Sequence, residues 1–135
     1  MKNAIYEITG LSKIIVKDEM IQIRAQLKIN WAHEMFKGHF PGNPVLPGVV
    51  QIQIVTDVVS KVFKKDLALS NASNIKFINM VIPENSSILT IGMDVKPTGS
   101  HKYNVTATLH AQQIIFLKLK GLFSPVELLS HRANP

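Results

Sequence analysis

The sequence predicts an α+β fold in which one long central helix is wrapped by a curved antiparallel β-sheet. Three observations predict it. Several runs alternate apolar and polar residues, as half-buried strands do. One break-free stretch of about eighteen residues carries its polar side chains at helical spacing. Turn signals rich in Pro, Gly, Asn and Ser separate the alternating runs into antiparallel neighbours.

Residues 20 to 30 place Ile21, Ile23, Ala25, Leu27 and Ile29 on one face and polar side chains on the other, the period-2 pattern of a strand. The stretch from Gly48 to Lys65 is rich in Val, Ile and Thr, which by propensity alone suggests a strand. Its length decides against that. It exceeds an ordinary strand, and Gln53, Asp57, Ser60, Lys61 and Lys64 recur at helical intervals. Burial of the opposite face outweighs the unfavourable β-branched composition. Further on, Leu89, Ile91, Met93 and Val95 share one face, and Tyr103, Val105, Ala107, Leu109 and Ala111 another. Ile115, Leu117 and Leu119 form a third such row. Turns are expected at Pro83-Glu84-Asn85-Ser86 and Pro97-Thr98-Gly99-Ser100.

With 135 residues, 46% of them hydrophobic, the chain can bury one full core, and no linker or low-complexity stretch divides it. One domain over residues 1–135 is expected. Apolar runs are broken every few residues by Lys, Asp or Asn, and the N-terminus lacks a signal-peptide core, so a cytoplasmic protein without a membrane span is expected. There is no cysteine, which removes thiol nucleophiles and thiolate metal sites. Fifteen basic residues against nine acidic ones give a net charge of +6. They are spread along the chain, with Lys61, Lys64 and Lys65 the one cluster, and no groove-reading helix or stacking aromatic set accompanies them. Nucleic acid is therefore not the expected partner. The cluster is either a favourable complement to a helix C-terminus or a landing place for an acidic carrier protein.

The richest segment is 38–53, Gly-His-Phe-Pro-Gly-Asn-Pro-Val-Leu-Pro-Gly-Val-Val-Gln-Ile-Gln. Pro41, Pro44 and Pro47 fix φ and push the residues before them out of helical geometry, so the loop keeps a set shape. His39 sits in it nine residues before Gly48, where the helix begins. The first amides of a helix, here Gly48 to Val50, have no internal partner and carry the positive end of its dipole, which suits them to a carbonyl oxygen. Gly48 admits close approach to the backbone.

Residues Phe36 to Val50 resemble the signature of the hotdog-fold 3-hydroxyacyl-[acyl-carrier-protein] dehydratases over fifteen consecutive positions. Such proteins serve fatty-acid biosynthesis and aryl-polyene or polyketide-like pathways. The Leu-Pro-Gly-Val-Val-Gln wording, with Gln51 after the second valine, looks closer to the aryl-polyene branch. The resemblance implies that His39 is the catalytic base, that the Gly48 amide polarises the thioester carbonyl, and that a helix carboxylate fourteen residues after the histidine completes the site. It implies no cofactor. Its substrate is a (3R)-3-hydroxyacyl chain on acyl carrier protein, and its assembly is a homodimer or larger, or a pairing with a different hotdog subunit. Loop and helix then come from different subunits.

Eliminating water from a 3-hydroxyacyl thioester needs a base, donors for the enolate oxygen and an acid for the departing hydroxyl. Histidine suits the first role because it titrates near neutrality. The position of the expected carboxylate holds Gln53, an amide that cannot deliver a proton but can orient a water or the substrate hydroxyl. Asp57 lies four residues on, where the family pattern often has glutamine, as though the pair were exchanged. One helical turn, about 5.4 Å, is a large displacement for proton transfer. Asp57 reads as a relocated acid, as a substrate-lining residue, or as part of a solvated stripe with Gln53, Ser60 and Lys64. Phe36, Phe40, Pro47 and Val49 are candidate contacts to the acyl chain, with packing as the other role open to the two phenylalanines. His33 and Glu34 lie upstream as an ordinary surface pair or entrance residues. With His39 they lack the spacing that sets two ligands on one helical face, so no metal is expected. His101, His110 and His131 stand in no motif. Two other functions remain: a non-catalytic acyl-binding or partner subunit, and a hotdog thioesterase in which Asp57 or Glu34 activates water.

Overall fold

The computed structural model describes residues 4–38 and 42–127. His39, Phe40, Pro41 and His131 lie outside the described residues. Six strands form one antiparallel sheet: β1 (Tyr6–Ile15), β2 (Ile21–Ile29), β3 (Leu67–Phe77), β4 (Ile88–Pro97), β5 (Tyr103–Ala111) and β6 (Ile114–Pro125). Their spatial order is β1-β2-β4-β5-β6-β3, so β1 and β3 are the two edges. A short helix α1 (Met35–Gly38) precedes the proline loop, and α2 (Gly48–Phe63) follows it. A long helix lying on one face of such a sheet is the hotdog architecture expected from the sequence.

The alternating rows of β2, β4 and β5 are the core side of the sheet. Leu27, Leu89, Ile91, Val95 and Leu109 are all fully buried. Against them α2 turns two adjacent rows at i, i+4 spacing: Val50, Ile54 and Val58, and Gln51, Val55 and Val59. The helix stops two residues earlier than expected, at Phe63, because Lys64 takes up a left-handed conformation (φ 54°). The Lys65 amide then donates back to the Ser60 carbonyl at 3.1 Å. Ser60 is not merely solvated either, for its hydroxyl accepts from the Leu67 amide at 3.2 Å and starts β3.

Neither edge strand was expected. β1 pairs with β2 through a register shift between Ile8 and Gly10. β3 pairs with β6 through two shifts, between Leu69 and Asn71 and between Ala72 and Asn74. Such irregularities bend a strand and break its period-2 pattern. Among the described residues no helix is long and apolar enough to cross a membrane.

Candidate active site

Pro47 is the N-cap of α2, in extended conformation (ψ 150°), and no side chain caps the helix. The Val50 and Gln51 amides both donate to the Pro47 carbonyl at 3.1 Å. That narrows the expected set of donors, since Val50 is spent on the helix itself and the Gly48 and Val49 amides are the first-turn donors that remain.

The loop before the helix is fixed by more than its prolines. The Leu46 side chain is 1% exposed, its amide donates to the Val81 carbonyl at 2.9 Å, and its carbonyl accepts from Gln51 Nε2 at 3.2 Å. Gln51 therefore ties the loop to the first turn of α2 from inside the core. Its Oε1 is buried with no hydrogen-bond partner among the described residues. Gly42 has φ 85°, a left-handed conformation that a side chain would strain. On the upstream side Phe36 is buried against Trp31, with ring centroids 4.7 Å apart, and the Trp31 indole donates to the Ser86 carbonyl at 3.3 Å. The Phe36 ring thus packs in the core beside the loop. His33 Nδ1 accepts from the Met35 amide at 3.0 Å, holding the start of α1, and Glu34 is exposed. Val49 is 74% exposed beside the helix N-terminus.

Two residues that sequence reasoning missed come to this helix. Phe77, at the end of β3, lays its ring over Gly48; a Cβ at Gly48 would stand 2.7 Å from the ring's Cζ. Tyr6, from β1, lies opposite Ile29 on the core side of the sheet, and its hydroxyl donates to Asp57 Oδ2. The second Asp57 oxygen, Oδ1, accepts from Gln53 Nε2 at 2.7 Å. Asp57 is half-buried beneath these groups, and burial pushes its carboxyl above the ordinary 3.8. The stripe of Gln53, Asp57, Ser60 and Lys64 is therefore only partly solvated. Gln53 and Lys64 face water, whereas Asp57 and Ser60 are engaged.

The lysine cluster sits at the other end of α2. Lys65 Nζ lies 3.2 Å from His101 Nδ1 and 5.5 Å from the centre of the Tyr103 ring, which stacks on Phe63 at 4.2 Å. At about 1.5 Å per residue this places it roughly 24 Å from Gly48. Among the described residues no group of three or more His, Asp or Glu side chains is placed to hold a metal ion.

Comparison with known proteins bears on the family and the fold. The family model for ApeI dehydratase matches residues 15–115. The 3-hydroxyacyl-[acyl-carrier-protein] dehydratase FabZ of Wolbachia sp. subsp. Drosophila simulans is 27% identical over 116 residues, 81% of each chain. FabZ of Oenococcus oeni is 30% identical over 80 residues, covering 54% of this chain and 58% of that one. Among solved structures, a protein from Erwinia carotovora subsp. atroseptica superposes with a TM-score of 0.67 at 21% identity, over 92% of this chain and 99% of that one. The dehydratase heterocomplex ApeI:P of Xenorhabdus doucetiae gives 0.60 at 20% identity, over 86% and 96%. The fold is theirs, and with its family model matched across most of its length the chain belongs to the ApeI-like dehydratase family.

Proposed function

We propose that the protein, acting as one domain over residues 1–135, eliminates water from (3R)-3-hydroxyacyl thioesters carried on acyl carrier protein, leaving the trans-2-enoyl form. The observation that carries this reading is the proline-capped start of α2, where the Gly48 amide points out of the helix with no side chain capping it. A thioester carbonyl that accepts from this amide has its α-proton acidified, because the developing enolate oxygen is stabilised by a preorganised donor. His39, nine residues upstream in the same loop, is the base. Gln53 orients the 3-hydroxyl through its amide, and Pro47, Val49 and Phe40 line the acyl path.

A second copy of the chain completes the assembly. β3 is an edge strand, and Val49, Phe77, Ile78 and Met80 beside it are exposed apolar side chains. Two such edges can pair about a two-fold axis, and a different hotdog subunit can take the same place. The basic surface, with Lys61, Lys64 and Lys65 at its densest point, favours approach of an acidic carrier, and the protein works in the cytoplasm.

The test follows enoyl formation from 3-hydroxyacyl-carrier substrates of several lengths by mass spectrometry, with His39→Ala and Gln53→Glu alongside. Turnover in wild type that disappears in His39→Ala is the expected result. Silence in wild type with activity appearing in Gln53→Glu would mark a non-catalytic partner subunit instead, and release of free acid would mark a thioesterase.

A further inference from the structure

We propose that the Asp57 carboxyl delivers the proton to the departing 3-hydroxyl, with Gln53 and Tyr6 holding it in place. This rests on the dehydratase reading and supplies the acid which that reading lacks.

Asp57 is one turn, about 5.4 Å of rise, beyond the position where the resemblance expects a carboxylate. The side chains close that gap. Oδ1 of Asp57 reaches back to within 2.7 Å of Gln53 Nε2, so a carboxyl oxygen lies in hydrogen-bonding contact with the group at position 53. A carboxylate oxygen only accepts, so the Gln53 amide must present its NH2 to Asp57 and is left with Oε1 free. That oxygen belongs to an exposed side chain and can accept from the substrate hydroxyl, bringing the hydroxyl next to the acid.

Tyr6 fixes the other oxygen from a different element, 51 residues away in the chain. Two donors arriving from α2 and β1 leave the carboxyl little freedom. They also occupy two of about four lone-pair sites, so about two remain, either of which can carry the proton. The two hydrogen-bond donors to Asp57 among the described residues, Tyr6 and Gln53, are both neutral groups. Burial pushes the carboxyl toward the protonated form, while the two donors favour the ionised one, so both states are within reach of a proton-transfer cycle. The other carboxyls are placed differently. Glu7 lies opposite Lys28 on the outer side of the sheet, Glu34 is exposed on the segment before the loop, and Asp66 lies beyond the far end of α2.

In the step, the base removes the α-hydrogen as a proton, and the C–H electron pair forms the double bond. The C–O bond breaks with its pair going to the hydroxyl oxygen, which takes the Asp57 proton and leaves as water. Asp57 ends as carboxylate and the base as its conjugate acid, and exchange with solvent restores both.

The experiment uses N-acetylcysteamine thioesters in D2O with wild type, Asp57→Asn and Tyr6→Phe, all checked by thermal melting. Elimination is read on a 3-hydroxyacyl thioester. α-Hydrogen exchange is read on the matching saturated thioester, which needs the base and the amide but no acid. Asp57→Asn is expected to lower elimination by about 10²–10⁴-fold, with a much smaller effect on exchange. Tyr6→Phe keeps the ring but removes a donor to the carboxylate, so the pH at which elimination falls off on the alkaline side should rise. Elimination at the wild-type rate in Asp57→Asn, or an equal loss of elimination and exchange, overturns the proposal. So does an unmoved pH profile in Tyr6→Phe. Wild-type protein that exchanges without eliminating overturns it while leaving the base and amide in place. Wild type that does neither overturns the dehydratase reading and this proposal with it.

Discussion

Gly48→Ala separates what the helix N-terminus does for chemistry from what it does for stability. A methyl group there would stand 2.7 Å, 2.9 Å and 3.2 Å from Cζ, Cε1 and Cε2 of Phe77, so the ring must retreat. It can do so, since Phe77 is 50% exposed at the end of an edge strand. Complete burial of a phenylalanine is worth about 1.5–3 kcal/mol, so forfeiting the half that is buried costs about 1 kcal/mol. Alanine returns part of this, because it favours the helix over glycine by up to about 1 kcal/mol in a helix interior and by less in a first turn. Melting should therefore fall by no more than about 3–5 °C in a chain of this size. Elimination should suffer far more, because the same methyl keeps the thioester oxygen from the amide, and loss of one such donor costs about 10²–10³ in kcat. Differential scanning fluorimetry and the thioester assay measure the two effects. Gly48→Ala with Phe77→Ala should melt like Phe77→Ala alone yet stay slow. Wild-type turnover in Gly48→Ala, or recovery of turnover in the double variant, would refute the reasoning, because the loss would then come from the displaced ring and not from the amide.

Two further outcomes bear on the same helix. Ile54 is fully buried against the sheet, and Ile54→Ala should lower the unfolding free energy by about 2–5 kcal/mol at unchanged denaturant slope, measured by urea titration; a loss under 1 kcal/mol would place α2 outside the core. Asp57 has its carboxyl raised above 3.8 by burial. The stability contributed by its protonated form is fully present below 3.8 and lost as pH rises through the folded value, so Asp57→Asn, always neutral, should gain on wild type from acid to neutral pH. The effect is small because the group is partly solvated, and a pH-independent difference between the two melting curves would contradict it.

Much of the fold was legible because it is one-sided. β2, β4 and β5 bury one face completely, so their residues must alternate, and α2 betrays itself by a length no strand reaches. β1 and β3 carry no such signal. An edge strand buries little, β1 contains a register shift at Gly10, and β3 runs through Ser70-Asn71-Ala72-Ser73-Asn74 with two shifts of its own. The site divides along the same line. Pro47 and Gly48 announce a helix start, and Gln53 with Asp57 an i, i+4 pair. Tyr6 and Phe77 reach α2 from the two unread edges, through contacts that no local pattern encodes.

The bent edge has a consequence for how the protein survives at high concentration. A flat, eleven-residue strand with a free side invites any extended chain to add to it, which is how fibrils begin. Two shifts within eight residues make β3 a poor template of that kind: its exposed N–H and C=O groups do not run in a straight, evenly spaced row, and Lys76 adds a charge near its end. Only a strand with matching kinks meets it along its whole length. The irregularity that hides β3 from a sequence pattern is thus also a filter against indiscriminate aggregation.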